Sequence, residues 1–108
     1  MLDHGIKRTK IKELLLTGEI NKEVVVKGWV RTKRESKNVI FITLNDGSTI
    51  QNLQAVVQPD TIDAAILGRI NTGAGLSVKG TLIESMGAGQ RVELAVSDII
   101  LYGEADPD

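Results

Sequence analysis

The sequence GWVRTKRESKNVIFITLNDGSTIQNLQ, residues 28–54, predicts the centre of a β-sheet fold. β-branched and aromatic side chains, which favour strands, dominate residues 24–33 and residues 39–44. A third apolar run covers residues 52–57. These three runs predict three consecutive strands joined by two polar connections.

The two connections and one glycine suggest how the strands turn and bend. Residues 34–38 are polar throughout and predict a loop. Asn45-Asp46-Gly47-Ser48 predicts a hairpin turn, because Asp-Gly tolerates the positive φ that tight hairpins need. Gly28 predicts a bend or bulge in the first strand, which is expected when a small sheet curls into a barrel.

Side-chain alternation divides the second and third strands into two faces. Every second position is apolar, and these positions predict the core face: Ile40, Ile42, Leu44, Leu53, Ala55 and Val57. Phe41 and Gln54 therefore lie together on the outer face. An exposed ring beside a side-chain amide and nearby arginines is how a sheet binds an unpaired base.

Two aromatic side chains leave alternatives open. Phe41, the only Phe in the chain, is either an exposed stacking surface or a ring covered by a helix or loop. Trp29 either packs against the barrel, which we favour, or stacks on a base. His4 precedes the first predicted element, and we assign it no function.

Two short helices are predicted outside this central stretch. Residues 9–16 have helical periodicity, with Thr9 as a candidate N-cap and Gly18 as the end. Pro59-Asp60-Thr61 is a helix start signal, and apolar residues follow it at helical spacing over residues 61–70.

Two further strands complete the order of elements. Residues 76–84 and 91–96 predict the fourth and fifth strands, and residues 99–102 finish the sheet. Three strands, a helix and two strands is the order of an OB-fold. The predicted fold class is therefore all-β: a five-stranded Greek-key barrel with a short N-terminal helix and a helix between strands three and four.

The composition is that of one globular domain and argues against several kinds of site. The 108 residues are 42% hydrophobic and 25% charged, within the ordinary range. With no Cys and a single His, neither a disulfide framework nor a structural zinc site is expected. No apolar run approaches the length of a membrane span and no signal peptide is evident. We expect a cytoplasmic protein with no membrane partner.

The net charge of −1 conceals an asymmetry along the chain. Residues 1–40 contain ten Lys and Arg against five Asp and Glu, whereas residues 41–108 contain three against nine. The N-terminal third therefore predicts one basic edge suited to a phosphate backbone, although a solvated charged face would give the same pattern. The candidate phosphate contacts are Lys10, Lys12, Arg31 and Lys33.

Several spaced motifs resemble the anticodon-binding domain of class IIb aminoacyl-tRNA synthetases, and most closely that of the asparaginyl enzymes. They are GWVRTKRESK, FITLNDGS and NLQAVV within residues 28–57, and the closing Ala-Asp-Pro-Asp of residues 105–108. The resemblance extends over residues 10–108. The aspartyl enzymes carry an Arg-Asp turn and a shorter hairpin after the position of Phe41, so the longer connection here favours asparagine.

The resemblance implies a set of base-reading residues. Phe41 matches a Phe that stacks on the central uridine of the anticodon, and Gln54 matches a Gln that hydrogen-bonds the edge of that uridine. Arg34 matches an Arg that contacts the anticodon bases, and Glu93 matches a fifth-strand Glu that reads a base.

The resemblance also implies how the chain is organised. Residues 1–9 would be a flexible N-terminus, residues 10–103 the anticodon-binding domain, and residues 104–108 the start of a linker to a catalytic domain. The implied partner is the tRNA for asparagine, and the implied parent enzyme is a homodimeric asparagine–tRNA ligase, whose isolated domain could be monomeric. ATP and Mg²⁺ would belong to that catalytic domain, and no cofactor, metal or catalytic residue is expected in this chain.

Four other kinds of function would depend on different features of the chain. The glycine-rich stretches 73–75 and 87–89 each precede a strand and lack the Gly-Lys-Ser/Thr or Rossmann spacing of a phosphate loop. Glu84, Glu93 and Asp98 have no His or other base as a partner, so they do not predict an active site. An OB module that binds single strands without base preference, or one that binds a protein, remains an alternative.

Overall fold

The computed structural model describes residues 7–85 and 90–103. Its elements are α1 (Ile11–Thr17), β1 (Glu23–Ser36), β2 (Val39–Asn45), β3 (Leu53–Val57), α2 (Ala64–Arg69), β4 (Gly75–Glu84) and β5 (Val92–Gly103). The strands form a closed barrel in the order β1-β2-β3-β5-β4. The pairing of β3 with β5 is parallel and the others are antiparallel. The predicted OB-fold, with its helix between strands three and four, is confirmed.

The barrel interior is an aliphatic core whose residues follow the predicted alternation. In β2 and β3 the buried positions include the six predicted ones, and Phe41, Gln54 and Val56 are only partly buried. Both helices contribute to the same core, α1 through Ile11 and Leu14. Closing the sheet pairs the first strand with the fourth, so each strand of the barrel has a hydrogen-bonded neighbour on both sides.

β1 is longer than predicted, and this changes the position of Arg34. Pairing with β2 continues through Arg34, opposite Phe41, to Ser36, opposite Val39. The predicted loop over residues 34–38 is therefore wrong: the chain turns at residues 37–38 alone, where Asn38 adopts φ 56°. Polar side chains do not end a strand whose outer face meets water, and an Asn supplies the positive φ of a tight turn.

The bulge in β1 lies at Arg31, not at Gly28 as predicted. Val30 pairs with Leu44 and Thr32 with Thr43, which leaves Arg31 without a paired residue. Gly28 has a different reason to be glycine, because a Cβ there would collide with the Asn45 carbonyl. The extra residue shifts the alternation of β1, so that Arg34 lies on the outer face.

The β2–β3 connection is a longer loop than a tight hairpin, and it caps α1. Asp46 Oδ2 accepts a hydrogen bond from the Ile11 N–H at 2.9 Å, and Ser48 Oγ accepts one from the Lys12 N–H at 3.1 Å. The predicted cap by Thr9 is wrong, since the N-cap position is Lys10 and has no side-chain cap bond. Two N–H groups that a helix leaves unpaired are thus satisfied from a distant loop. The predicted end at Gly18 is confirmed.

This cap should make stability depend on pH. Burial acts to raise the pKa of Asp46, but hydrogen bonds from Ser48 and Ile11 and the charge of Arg8 outweigh it and lower the pKa below its ordinary value. A lowered pKa in the folded state stabilises the fold above the unfolded-state pKa, and this is lost as the pH falls through the folded-state value.

Asp46→Asn should therefore be destabilising at neutral pH, and the difference from wild type should shrink as the pH falls below about 4. Urea unfolding at pH 7 and at stepwise lower pH measures the difference. A difference that stays constant across the series would show that the charge of Asp46 does not stabilise the cap.

α2 and β5 differ from their predicted bounds. α2 begins after Asp63, whose Oδ1 accepts a hydrogen bond from the Ala65 N–H at 2.8 Å. The start signal at Pro59 therefore lies in a turn that precedes the helix. β5 is one continuous strand where two pieces were predicted. Its pairing with β4 shifts at Ser97, which lies between the pairs of Val96 and Asp98.

Some predictions lie outside the described residues. They concern residues 1–6 of the predicted flexible start, including His4, residues 86–89 of the glycine-rich connection, and the linker and closing motif within residues 104–108. In the part of the chain that the structure describes, no helix combines the length and apolar character needed to cross a membrane.

Candidate nucleic-acid interface

The predicted base-reading residues lie on the outer face of four adjacent strands. Arg34 is directly opposite Phe41, and Thr43 is directly opposite Gln54. Phe41 and Gln54 are therefore diagonal neighbours across the β2–β3 pair, a separation that an aromatic ring can bridge. In the same cross-strand row as Gln54, the hydroxyls of Thr32 and Thr43 share a hydrogen bond of 2.5 Å.

Phe41 is neither in the core nor fully exposed. The ring is partly buried, and the Arg34 guanidinium carbon lies 4.9 Å from its centroid. This is the geometry of a cation–π contact, and it places a planar cation beside a planar ring on a surface open to solvent. Both groups are surfaces on which nucleic-acid bases stack.

Gln54 and Glu93 form the second half of the site. Gln54 Nε2 donates to Glu93 Oε2 at 2.6 Å, a short and charge-assisted hydrogen bond. The parallel pairing of Ala55 with Leu94 and of Val56 with Ala95 sets the two side chains next to each other. Glu93 is only 8% exposed, although it lies on the outer face. Arg91, just before the start of β5, is exposed and donates to the Gly18 carbonyl at 2.6 Å, beside α1.

Of the four residues of the predicted basic edge, three are exposed and the fourth is bound to α2. Lys10, Lys12 and Arg31 are exposed. Lys33 instead lies on the α2 side, where its ammonium group donates to the Leu67 carbonyl at 2.8 Å. A cation at the last carbonyls of a helix stabilises its C-terminus, and this accounts for Lys33 without a ligand.

Trp29 lies at the other end of the outer face of β1 from Arg34. It is 39% exposed, and a Cβ built on Gly47 would be 3.7 Å from the ring, so the indole runs alongside the β2–β3 loop. This packing favours the structural interpretation. Within residues 7–85 and 90–103, no group of three or more His, Asp or Glu side chains is placed to hold a metal ion.

Two features of the site were not evident from the sequence. The Arg34–Phe41 contact was missed because Arg34 was placed in a loop. The Gln54–Glu93 bond was missed because β3 and β5 are separated by α2 and β4, and only their parallel pairing in the barrel joins them. The OB order of elements implies that pairing, and it was the signal from which the contact could have been inferred.

Comparison with known proteins agrees with the fold. Residues 24–102 match the tRNA anticodon family model, described as an OB-fold nucleic acid binding domain. An asparagine–tRNA ligase of Porphyromonas gingivalis is 53% identical over 106 residues, which are 98% of this chain and 23% of that protein. A Nostoc asparagine–tRNA ligase is 49% identical, over 92% of this chain and 22% of its own length.

A solved structure supports the same architecture. The asparaginyl-tRNA synthetase of Pyrococcus horikoshii superposes with a TM-score of 0.80 over 93% of this chain and 24% of its own chain, at 19% identity. That identity supports the fold alone. The chain thus spans about a quarter of the length of the proteins it matches. Because the family model covers most of the barrel, the chain belongs to the tRNA anticodon family of OB-fold nucleic-acid-binding domains.

Proposed function

We propose that this chain recognises the anticodon of the tRNA for asparagine, as the N-terminal domain of an asparagine–tRNA ligase. The observation that carries the proposal is the outer face on which the Arg34–Phe41 contact lies beside the Gln54–Glu93 pair. A stacking ring, a planar cation and an amide with both a donor and an acceptor are the groups that single-stranded RNA readers use. The asparagine–tRNA ligases that match nearly the whole chain supply the choice of tRNA.

Each residue has a separate task in this proposal. Phe41 stacks on the central uridine, and Gln54 hydrogen-bonds the edge of that uridine. Arg34 contacts the anticodon bases beside the ring, and Glu93 accepts from a base as well as from Gln54. Lys10, Lys12 and Arg31 contact phosphates; Lys33 is left out, because its ammonium group is already bound to the Leu67 carbonyl.

The chemistry of amino-acid activation belongs to the remainder of the parent enzyme. The domain itself binds and orients RNA, and ATP and Mg²⁺ act in the catalytic domain. We further propose a homodimeric parent enzyme in the cytoplasm, with residues 104–108 leading into its catalytic part.

A titration with anticodon stem-loops tests the function. The chain should bind a hairpin with the asparagine anticodon more tightly than a hairpin with a scrambled loop, and intact tRNA for asparagine should compete for the same site. Equal affinity for cognate and scrambled loops would favour a generic single-strand binder. No binding to either would favour a protein-interaction module.

The basic edge predicts a salt effect that does not depend on the bases. Lys10→Ala with Lys12→Ala should weaken all hairpins alike. It should also flatten the plot of log affinity against log salt by roughly 0.7–0.9 for each phosphate that the variant no longer neutralises. Lys79→Ala is the matched control, since that ammonium group already lies 3.8 Å from the Glu23 carboxylate. A double variant with the wild-type salt slope would contradict the basic edge.

A further inference from the structure

We infer that Glu93 is a positioning residue that fixes the orientation of the Gln54 amide, so that the site accepts uridine and rejects cytidine. The inference rests on the proposed function and assigns the pyrimidine selectivity of that site to a pair of side chains. Glu93 acts here through Gln54, and this role is distinct from any direct contact between Glu93 and a base.

The chemistry of the two side chains decides which way the amide faces. A carboxylate only accepts hydrogen bonds, whereas an amide has a donor end and an acceptor end. Gln54 Nε2 lies 2.6 Å from Glu93 Oε2, so the donor end faces Glu93. Turning the amide over would place its carbonyl oxygen against the carboxylate oxygen, and two acceptors at that distance repel. The carboxylate therefore selects one of the two amide orientations.

This orientation matters because the two pyrimidines present opposite patterns. Uridine offers the N3–H donor next to a carbonyl acceptor, and cytidine offers the N3 acceptor next to an amino donor. The Gln54 carbonyl and the second N–H of its amide can bind one of these patterns in a given orientation, and they bind the other after a flip. A freely turning amide would serve both bases, whereas a fixed amide serves one.

The sheet holds Glu93 where this selection is effective. Glu93 is on β5 between Val92 and Leu94, which are both fully buried, and it lies opposite Ile83 of β4. With 8% of its surface exposed, it is shielded from water, and a hydrogen bond in such a place is stronger than one at an open surface. The orientation is thus set by strand register, and no loop has to close for the site to discriminate.

Glu93→Gln tests the inference with little change of shape. The new carboxamide can donate or accept, so it permits both orientations of the Gln54 amide. Wild type should prefer a hairpin with central uridine over central cytidine by about tenfold or more, as bidentate base contacts generally do. In Glu93→Gln the preference should fall to about twofold, mainly because the cytidine hairpin binds better. Gln54→Ala should also lose the preference, but by weakening the uridine hairpin.

A second measurement needs no variant and no RNA. In the wild-type chain, one of the two side-chain amide protons of Gln54 should resonate downfield and exchange slowly with water, because it is bonded to Glu93. If both protons of Gln54 resemble those of the exposed Gln58, the bond does not persist in solution and the inference is overturned, whether or not Glu93→Gln folds.

The outcomes separate this inference from the proposed function. If wild type shows no preference for central uridine, the proposed anticodon reading fails. If wild type prefers uridine and folded Glu93→Gln keeps the full preference, only the positioning role is wrong. If Glu93→Gln instead changes selectivity at a neighbouring base and leaves the pyrimidine preference intact, Glu93 reads that base directly and the positioning role is likewise rejected.

Discussion

Phe41→Ala is expected to weaken binding to every anticodon loop by about 1–3 kcal/mol, which is what a ring–base stack contributes. The loss should be similar for cognate and non-cognate loops, because every base has a π-face. It should not add fully to the loss in Gln54→Ala, since both residues hold the same base. Binding titrations with a set of hairpins that differ at the central base, on the single and double variants, measure both effects.

A matched aromatic substitution separates stacking from a general loss of apolar surface. Tyr102, near the C-terminal end of β5 and with its ring centroid 5.9 Å from the Lys27 ammonium group, is exposed. Tyr102→Ala should leave hairpin affinity unchanged. Equal losses in the two alanine variants would mean that Phe41 provides no specific stacking surface, and the site would have to be moved.

The outer face could be predicted from the sequence where the pattern was local. Ile40, Ile42 and Leu44 alternate with Phe41 and Thr43 within one strand. Because side chains alternate with a period of two, this pattern shows which of them face the core even when the neighbouring strands are unknown. The same reasoning placed Gln54 correctly. These positions follow from apolar burial alone, which is why the structure agrees with them.

The parts that escaped prediction depend on contacts between distant segments. Arg34 faces outward because of the bulge at Arg31, and no residue type marks a bulge there. The cap of α1 comes from Asp46 and Ser48, 35 and 36 residues from the N–H groups they accept from. Local signals such as Thr9 favoured a cap that the tertiary structure replaced. The Gln54–Glu93 pair likewise required the barrel to close.

Ile42→Ala is expected to have the largest effect on stability, a loss of about 2–5 kcal/mol in the free energy of unfolding. Ile42 follows Phe41 in the chain, but its side chain is 1% exposed and lies in the aliphatic core. Removing three carbons there loses burial and leaves a cavity that the closed barrel cannot fill by moving a single strand. A domain of about 100 residues has only about 5–15 kcal/mol of stability, so the melting temperature should fall markedly.

Phe41 and Ile42 are adjacent on β2, so comparing their alanine variants tests which face of the strand carries the base-reading surface. Ile50→Ala is the control, since that side chain is 98% exposed in the β2–β3 loop and should change the unfolding free energy by less than about 0.5 kcal/mol. Phe41→Ala should stay folded and lose RNA affinity, whereas Ile42→Ala should lose stability. If cooperative melting is lost in Phe41→Ala and kept unchanged in Ile42→Ala, the facing of β2 is reversed. The base-reading surface would then belong on the opposite set of side chains.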